Sequence, residues 1–167
     1  MVSLLKESFS QIEENMCLEI KNIDFEIYDS KEDNRCYICE KDGDFQVLNK
    51  DKLDIVFLAI DKCIFFDSDE FKKCDCVIFD AKTVCFIEIK DCKPKRRKGY
   101  KKQAQEQLKS TIKIFKDKID IDKKLEAYLC VGCSATRPSR PASSKNAQAE
   151  FLINFNTLLF DGCQKKF

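Results

Sequence analysis

The chain has 167 residues, with 30 Lys and Arg against 29 Asp and Glu, the length of one domain with a real core and almost no net charge. Its 44% hydrophobic and 35% charged residues exclude a disordered chain, and no apolar run reaches the length needed to cross a bilayer. Histidine is absent, which removes Ser-His-Asp and Cys-His nucleophiles and His-based zinc hydrolases, so any hydrolysis must rest on carboxylates, lysine, cysteine or metal.

The amino terminus shows no secretion signal, because Lys6, Glu7 and Glu13 interrupt its apolar character. The expectation is a cytoplasmic protein with no membrane partner, whose eleven cysteines stay as thiols. Residues 3–20 predict an amphipathic helix, with Leu5, Phe9, Ile12, Met16 and Ile20 at three- and four-residue steps. Alternation over 23–29 predicts an edge strand, and Arg35 to Leu48 a hairpin turned at Lys41-Asp42-Gly43-Asp44. Residues 54–66 are strongly apolar, and periodicity alone does not separate strand from buried helix there. Asp67 to Lys73 is polar and leads into the most informative stretch.

That stretch, Asp75 to Lys90, reads as two apolar strands around a tight turn at Ala81 and Lys82. In this register Asp80 faces Thr83, Ile78 faces Cys85, and Asp75 faces Glu88. Directly opposed side chains lie roughly 4.5–5.5 Å apart at Cβ, where like charges repel. Lys90 projects from the same face as Glu88. Two carboxylates and an ammonium in apolar surroundings are costly unless paired or metal-bound, and a divalent cation is the simplest agent that makes them favourable.

Downstream, 100–119 predicts a helix burying Ala104, Leu108, Ile112, Phe115 and Ile119. Leu125 to Cys133 reads as a buried strand, Ser134 to Lys145 as a loop, 146–156 as a helix with Phe151 and Phe155 on one face, and 158–160 as a short last strand. No repeat or linker divides residues 1–167, so a single domain is expected. The element order fits an α/β fold with a mixed central sheet flanked by helices.

Asp75, Glu88 and Lys90 on their two strands resemble the core of the PD-(D/E)XK nuclease superfamily, the restriction-endonuclease-like proteins. The resemblance is strongest over roughly residues 72–118, and Cys74 stands where the family's proline would be. It implies a restriction-endonuclease-like sandwich forming a single nuclease-like domain, and a Mg²⁺- or Mn²⁺-dependent hydrolase cleaving DNA or RNA, as endonuclease or exonuclease. Asp75 and Glu88 would then bind the metal, with the Ile89 carbonyl, and Lys90 would orient or activate water. It further implies a glutamine on the following helix, Gln107 in preference to Gln103, and an acid on the first helix, for which Glu13 is a candidate with Glu14 and Glu7 competing.

The second signal is basic. Residues 93–102 hold Lys93, Lys95, Arg96, Arg97, Lys98, Lys101 and Lys102 and no acid, in a chain of net charge +1, so the remainder is negative. Such segregation suits phosphate backbones, held without reading sequence, and equally suits a solvated loop. Arg137, Arg140 and Lys145 offer a second phosphate contact. A non-catalytic nucleic-acid-binding or complex-assembly subunit of the same fold is the alternative function. Double-strand cutting would call for a homodimer or a partner protein. A rival story pairs Cys36-x-x-Cys39 with Cys130-x-x-Cys133 in a structural zinc site. Against it, residues three apart on a strand point to opposite faces.

Overall fold

The computed structural model describes residues 1–132 and 137–167. The central feature is a seven-stranded sheet of β1 (Leu18–Lys21), β5 (Ile55–Ala59), β6 (Cys76–Phe79), β7 (Thr83–Lys90), β8 (Lys124–Val131), β10 (Thr157–Asp161) and β9 (Arg140–Pro141), in that spatial order. β1, β5, β6 and β7 are successively antiparallel, whereas β8 runs parallel to β7 and β10 parallel to β8. Each parallel step needs a crossover. Helix α3 (Arg97–Lys118) makes the first and α4 (Lys145–Phe155) the second. The sheet is therefore mixed and the fold class α/β, as expected.

A second sheet orders β11 (Gln164–Lys166), β4 (Phe45–Leu48), β2 (Phe25–Asp29) and β3 (Cys36–Cys39). It covers one face of the large sheet, with Phe45 edge-to-face on Tyr128 at 5.5 Å. The helices cover the other, where Phe115 of α3 meets Phe86 of β7 at 5.4 Å and Phe9 at 5.2 Å. Lys109 of α3 reaches Glu150 of α4 at 2.6 Å. Because both faces are covered, β5 and β6 are buried at every position, which is why their sequences read as unbroken apolar runs. β2 alternates instead, burying Phe25 and Ile27.

Helix α3 buries Ala104, Leu108, Ile112 and Phe115, with Ile119 buried just past its end, and so matches the predicted stripe. Helix α4 is capped by Ser144, whose hydroxyl accepts from the Ala147 amide at 3.3 Å, and stops at Asn156 in the left-handed conformation. Its Phe151 is buried and Phe155 half-buried.

Four expectations are corrected. The amino-terminal segment is not one helix: α1 (Val2–Ser8) and α2 (Gln11–Glu14) are short, and Leu18–Lys21 is strand. The buried stripe holds through Leu5, Phe9 and Ile12, but Met16 is 82% exposed, because pairing of β1 with β5 overrides the helical period. Strand β2 is internal to its sheet rather than an edge, and β3 and β4 form no hairpin, since β2 lies between them. The Lys41–Asp44 turn folds onto β2 instead: the Gly43 amide donates to Glu26 at 2.8 Å, and a Cβ there would lie 2.6 Å from the Cβ of Glu26. Not every cysteine is a thiol either, because Cys17 and Cys63 form a disulfide that ties the start of β1 to the loop after β5. Strand β11, made of polar residues, carried no periodic signal. The predicted loop from Ser134 and the end of the Leu125–Cys133 strand fall partly outside the described residues. No helix among those described is long and apolar enough to cross a membrane.

Candidate active site

The predicted register of the Asp75–Lys90 hairpin is the observed one: Phe79 pairs with Val84, Ile78 with Cys85, Val77 with Phe86 and Cys76 with Ile87. Asp80 closes the turn, its carboxylate accepting from the Thr83 and Lys82 amides at 2.7 and 2.9 Å, and so is a turn residue away from the site. One step beyond Cys76 and Ile87 stand Asp75 and Glu88, only 4% and 0% exposed.

Asp75 Oδ2 accepts from the Ile89 amide at 2.5 Å. Lys90 Nζ lies 2.6 Å from Glu88 Oε1 and 3.9 Å from Asp75 Oδ1. The shorter contact is an ion pair without hydrogen-bond alignment, and Glu88 Oε2 is buried with no hydrogen-bond partner. The three charged groups therefore converge, with the ammonium set between the carboxylates.

Burial pushes the Asp75 carboxyl up to about 7 against the opposing pull of Lys90, with Asp29 adding to the rise. Glu88 is raised by burial and then by the Asp75 charge. Burial works against the Lys90 ammonium, yet Asp75 and Glu88 outweigh it and keep that group protonated. In the metal-free cluster the two acids thus carry less than two full negative charges between them.

Two further carboxylates belong to this neighbourhood and escaped sequence reasoning. Asp61 follows β5, and both its amide and that of Ile60 bond to the Asp75 carbonyl, at 3.4 and 3.0 Å. Lys73 pairs with Asp61 at 3.6 Å. Asp29 ends β2, is half-buried, and its charge acts on Asp75, Glu88 and Lys90. Their only signal in the sequence is an acid at a strand end, which has no meaning until the meeting of those ends is known.

Gln107 supports the site from α3. Its amide nitrogen donates to the Lys73 carbonyl at 2.9 Å, and one turn on, Thr111 Oγ1 accepts the Cys74 amide at 2.8 Å. Together they hold the segment that delivers Asp75. Gln103 is exposed and lines a shallow groove with Lys95, Arg96, Gly99 and Tyr100. Glu13 is not brought to the site: its carboxylate is 67% exposed and pairs with Lys6 at 2.8 Å.

The basic run forms the 3-10 turn Pro94–Arg96 and the first turn of α3, directly after Lys90. Lys93, Lys95, Arg96, Lys98 and Lys102 are exposed. Arg97 and Lys101 depart from the expectation, since Arg97 buries its Nε and Lys101 pairs with the buried Asp161. No acid offsets the helix's positive end in that first turn, which makes the segment more electropositive still. Of the second predicted contact, Arg140 and Lys145 are exposed and Arg137 is half-buried.

Cys36 and Cys39 point to opposite faces of β3. Cys36 is buried beside Cys76, whereas Cys39 lies beside Gly43. They cannot ligate one zinc together, and Cys133 of the other pair lies outside the described residues. Among the described residues no three acidic or cysteine side chains form a ready metal cage. The oxygens that could hold a hard cation are those of Asp75 and Glu88, with the Ile89 carbonyl on the same strand edge as its amide.

Compared with protein-family models, with curated proteins and with solved structures, the chain matches none.

Proposed function

We propose that this protein is a divalent-metal-dependent nuclease of the PD-(D/E)XK type, hydrolysing phosphodiesters in DNA or RNA. The observation that carries the reading is the convergence of buried Asp75 and Glu88 with the partly exposed Lys90 at the end of the β6–β7 pair. The mixed central sheet, with helices α3 and α4 on one face and the smaller sheet on the other, supports the restriction-endonuclease-like sandwich in its sheet and helix layer alone.

The residues fit Mg²⁺ or Mn²⁺. Four carboxylates (Asp29, Asp61, Asp75, Glu88) gather around two ammoniums (Lys73, Lys90), a local excess of negative charge. A buried glutamate oxygen is left without a hydrogen-bond partner. When bound, such an ion activates water and stabilises charge on the phosphoryl group. Asp75 and Glu88 would hold it, the Ile89 amide orienting Asp75 and the Gln107 and Thr111 contacts fixing the approach of that strand. Lys90, displaced from Glu88, would orient the attacking water and offset negative charge developing on the phosphate. The exposed cations of 93–102 would keep a polyanion beside these groups.

The alternative, a non-catalytic binding subunit, draws on the direct neutralisation of Glu88 by Lys90. Incubation with plasmid, single-stranded DNA and RNA, with and without Mn²⁺, separates the two. Metal-dependent cleavage lost in Glu88→Ala and Lys90→Ala supports the enzyme. Tight nucleic-acid binding without cleavage of any substrate supports the subunit.

A further inference from the structure

The Lys90 ammonium stands where a cation shared by Asp75 and Glu88 would stand, 2.6 Å from one carboxylate and 3.9 Å from the other. Two positive charges at that separation repel strongly in a buried site. Loading the site therefore requires the ammonium to move, and a moved ammonium needs a new acceptor.

We propose that Asp29 is that acceptor: a positioning residue that receives Lys90 when a divalent cation occupies the Asp75–Glu88 pair. The inference rests on the metal-dependent reading above and concerns how that site is loaded. Three contacts locate Asp29 at the Lys90 end of the hairpin. Its strand partner Cys36 is buried beside Cys76, the neighbour of Asp75. The Asp29 amide donates to Asp44 at 3.0 Å, and the Asp44 carbonyl accepts from Cys130, which sits opposite Ile89. Lys31, two residues on, pairs with Asp91, the residue after Lys90, at 2.9 Å.

The Asp29 carboxylate is also available. Among the described residues it accepts no hydrogen bond and has no ion-pair partner, whereas Asp61, the other added acid, is already paired with Lys73. After burial, Lys90 is the strongest influence on its charge. The lysine stem is long, flexible and partly exposed, which leaves the ammonium free to change acceptor. The device sets a threshold: without metal Lys90 neutralises Glu88, and with metal it is retained beside the pair instead of released to solvent.

Mn²⁺ titration of the full chain by calorimetry tests this on the wild type, Asp29→Asn, Asp29→Glu, Lys90→Met, Lys90→Gln and the Asp29→Asn/Lys90→Met double variant, with metal-free melting curves recorded for each. Asp29→Asn is expected to weaken Mn²⁺ binding about tenfold, and Asp29→Glu to restore most of it. In the Lys90→Met background the same Asp29→Asn change is expected to alter affinity less than about twofold, because no ammonium then needs an acceptor. Lys90→Gln serves if Lys90→Met fails to fold. An equal loss with and without Lys90, or no loss in either, overturns the role of Asp29 while leaving the metal site standing. Absence of Mn²⁺ binding in the wild type and in both Lys90 variants overturns the metal reading and this inference with it.

Discussion

The Ile89 amide donates to the side chain of Asp75, at the position where a carbonyl of the neighbouring strand would continue the ladder. The ladder ends there because the Cys74 amide turns away to Thr111 Oγ1. One carboxylate thus terminates a strand pair and is aimed by it. Replacing Thr111, fully buried, with Val would strand the Cys74 amide. The expected cost is about 1–3 kcal/mol in denaturant unfolding, with a loss of turnover larger than the loss of nucleic-acid affinity. Gln107→Ala should act in the same direction through the Lys73 carbonyl, more mildly.

Two pH windows should separate in metal-free protein. Glu126 is buried on β8; burial would raise its carboxyl, but Lys124, Lys165 and Tyr128 outweigh this and hold it down at about 2. Its folded value is depressed, so its stabilisation is present above the unfolded value of roughly 4.3 and is lost as pH falls towards 2. The magnitude is on the order of 2–3 kcal/mol. Asp75 has the opposite sign. Its folded value is raised to about 7, so the native state holds the extra proton and stability declines as pH rises from about 4 to 7. Melting temperatures across pH 2–8 should show the first window vanish in Glu126→Gln and the second shrink in Asp75→Asn, where the raised carboxyls of Glu88, Asp29 and Asp61 still act with the same sign. A metal-free stability that keeps rising between pH 4 and 7 in the wild type alone would contradict the Asp75 assignment.

The basic segment divides by exposure. Replacing Lys93, Lys95, Arg96, Lys98 and Lys102 together with Ala should weaken nucleic-acid binding and flatten its salt dependence by roughly 0.7–0.9 for each phosphate no longer neutralised. Lys101→Ala should behave differently, lowering stability through its buried partner Asp161 and leaving the salt slope close to that of the wild type. Fluorescence anisotropy at several salt concentrations distinguishes the two groups.

How far the sequence could be read follows from which interactions are local. The β6–β7 register was legible because a tight turn and two apolar runs leave few alternatives, and Asp75, Glu88 and Lys90 came with it. Helix α3 was legible because its buried stripe repeats without interruption from Ala104 to Phe115. Where partners are distant in sequence, periodicity misleads. Ile20 continues the spacing of α1 but lies exposed on β1, whose direction is set by β5, far later in the chain. Asp29 and Asp61 look like ordinary strand-end acids, and only the packing of β2 and β5 against the hairpin brings them near Asp75. Glu13 satisfied the expected position of an acid on the first helix, yet that helix breaks after Ser8, and the carboxylate faces Lys6 in solvent.

The most direct test is the single-turnover rate of Mn²⁺-dependent cleavage in Glu88→Gln beside the wild type. This change keeps the side chain's shape and removes its charge. A wild-type activity that falls by about a thousandfold or more in the variant, with nucleic-acid affinity unchanged, is the predicted result. Equal cleavage by both proteins would contradict the assignment of Glu88, and with it the site.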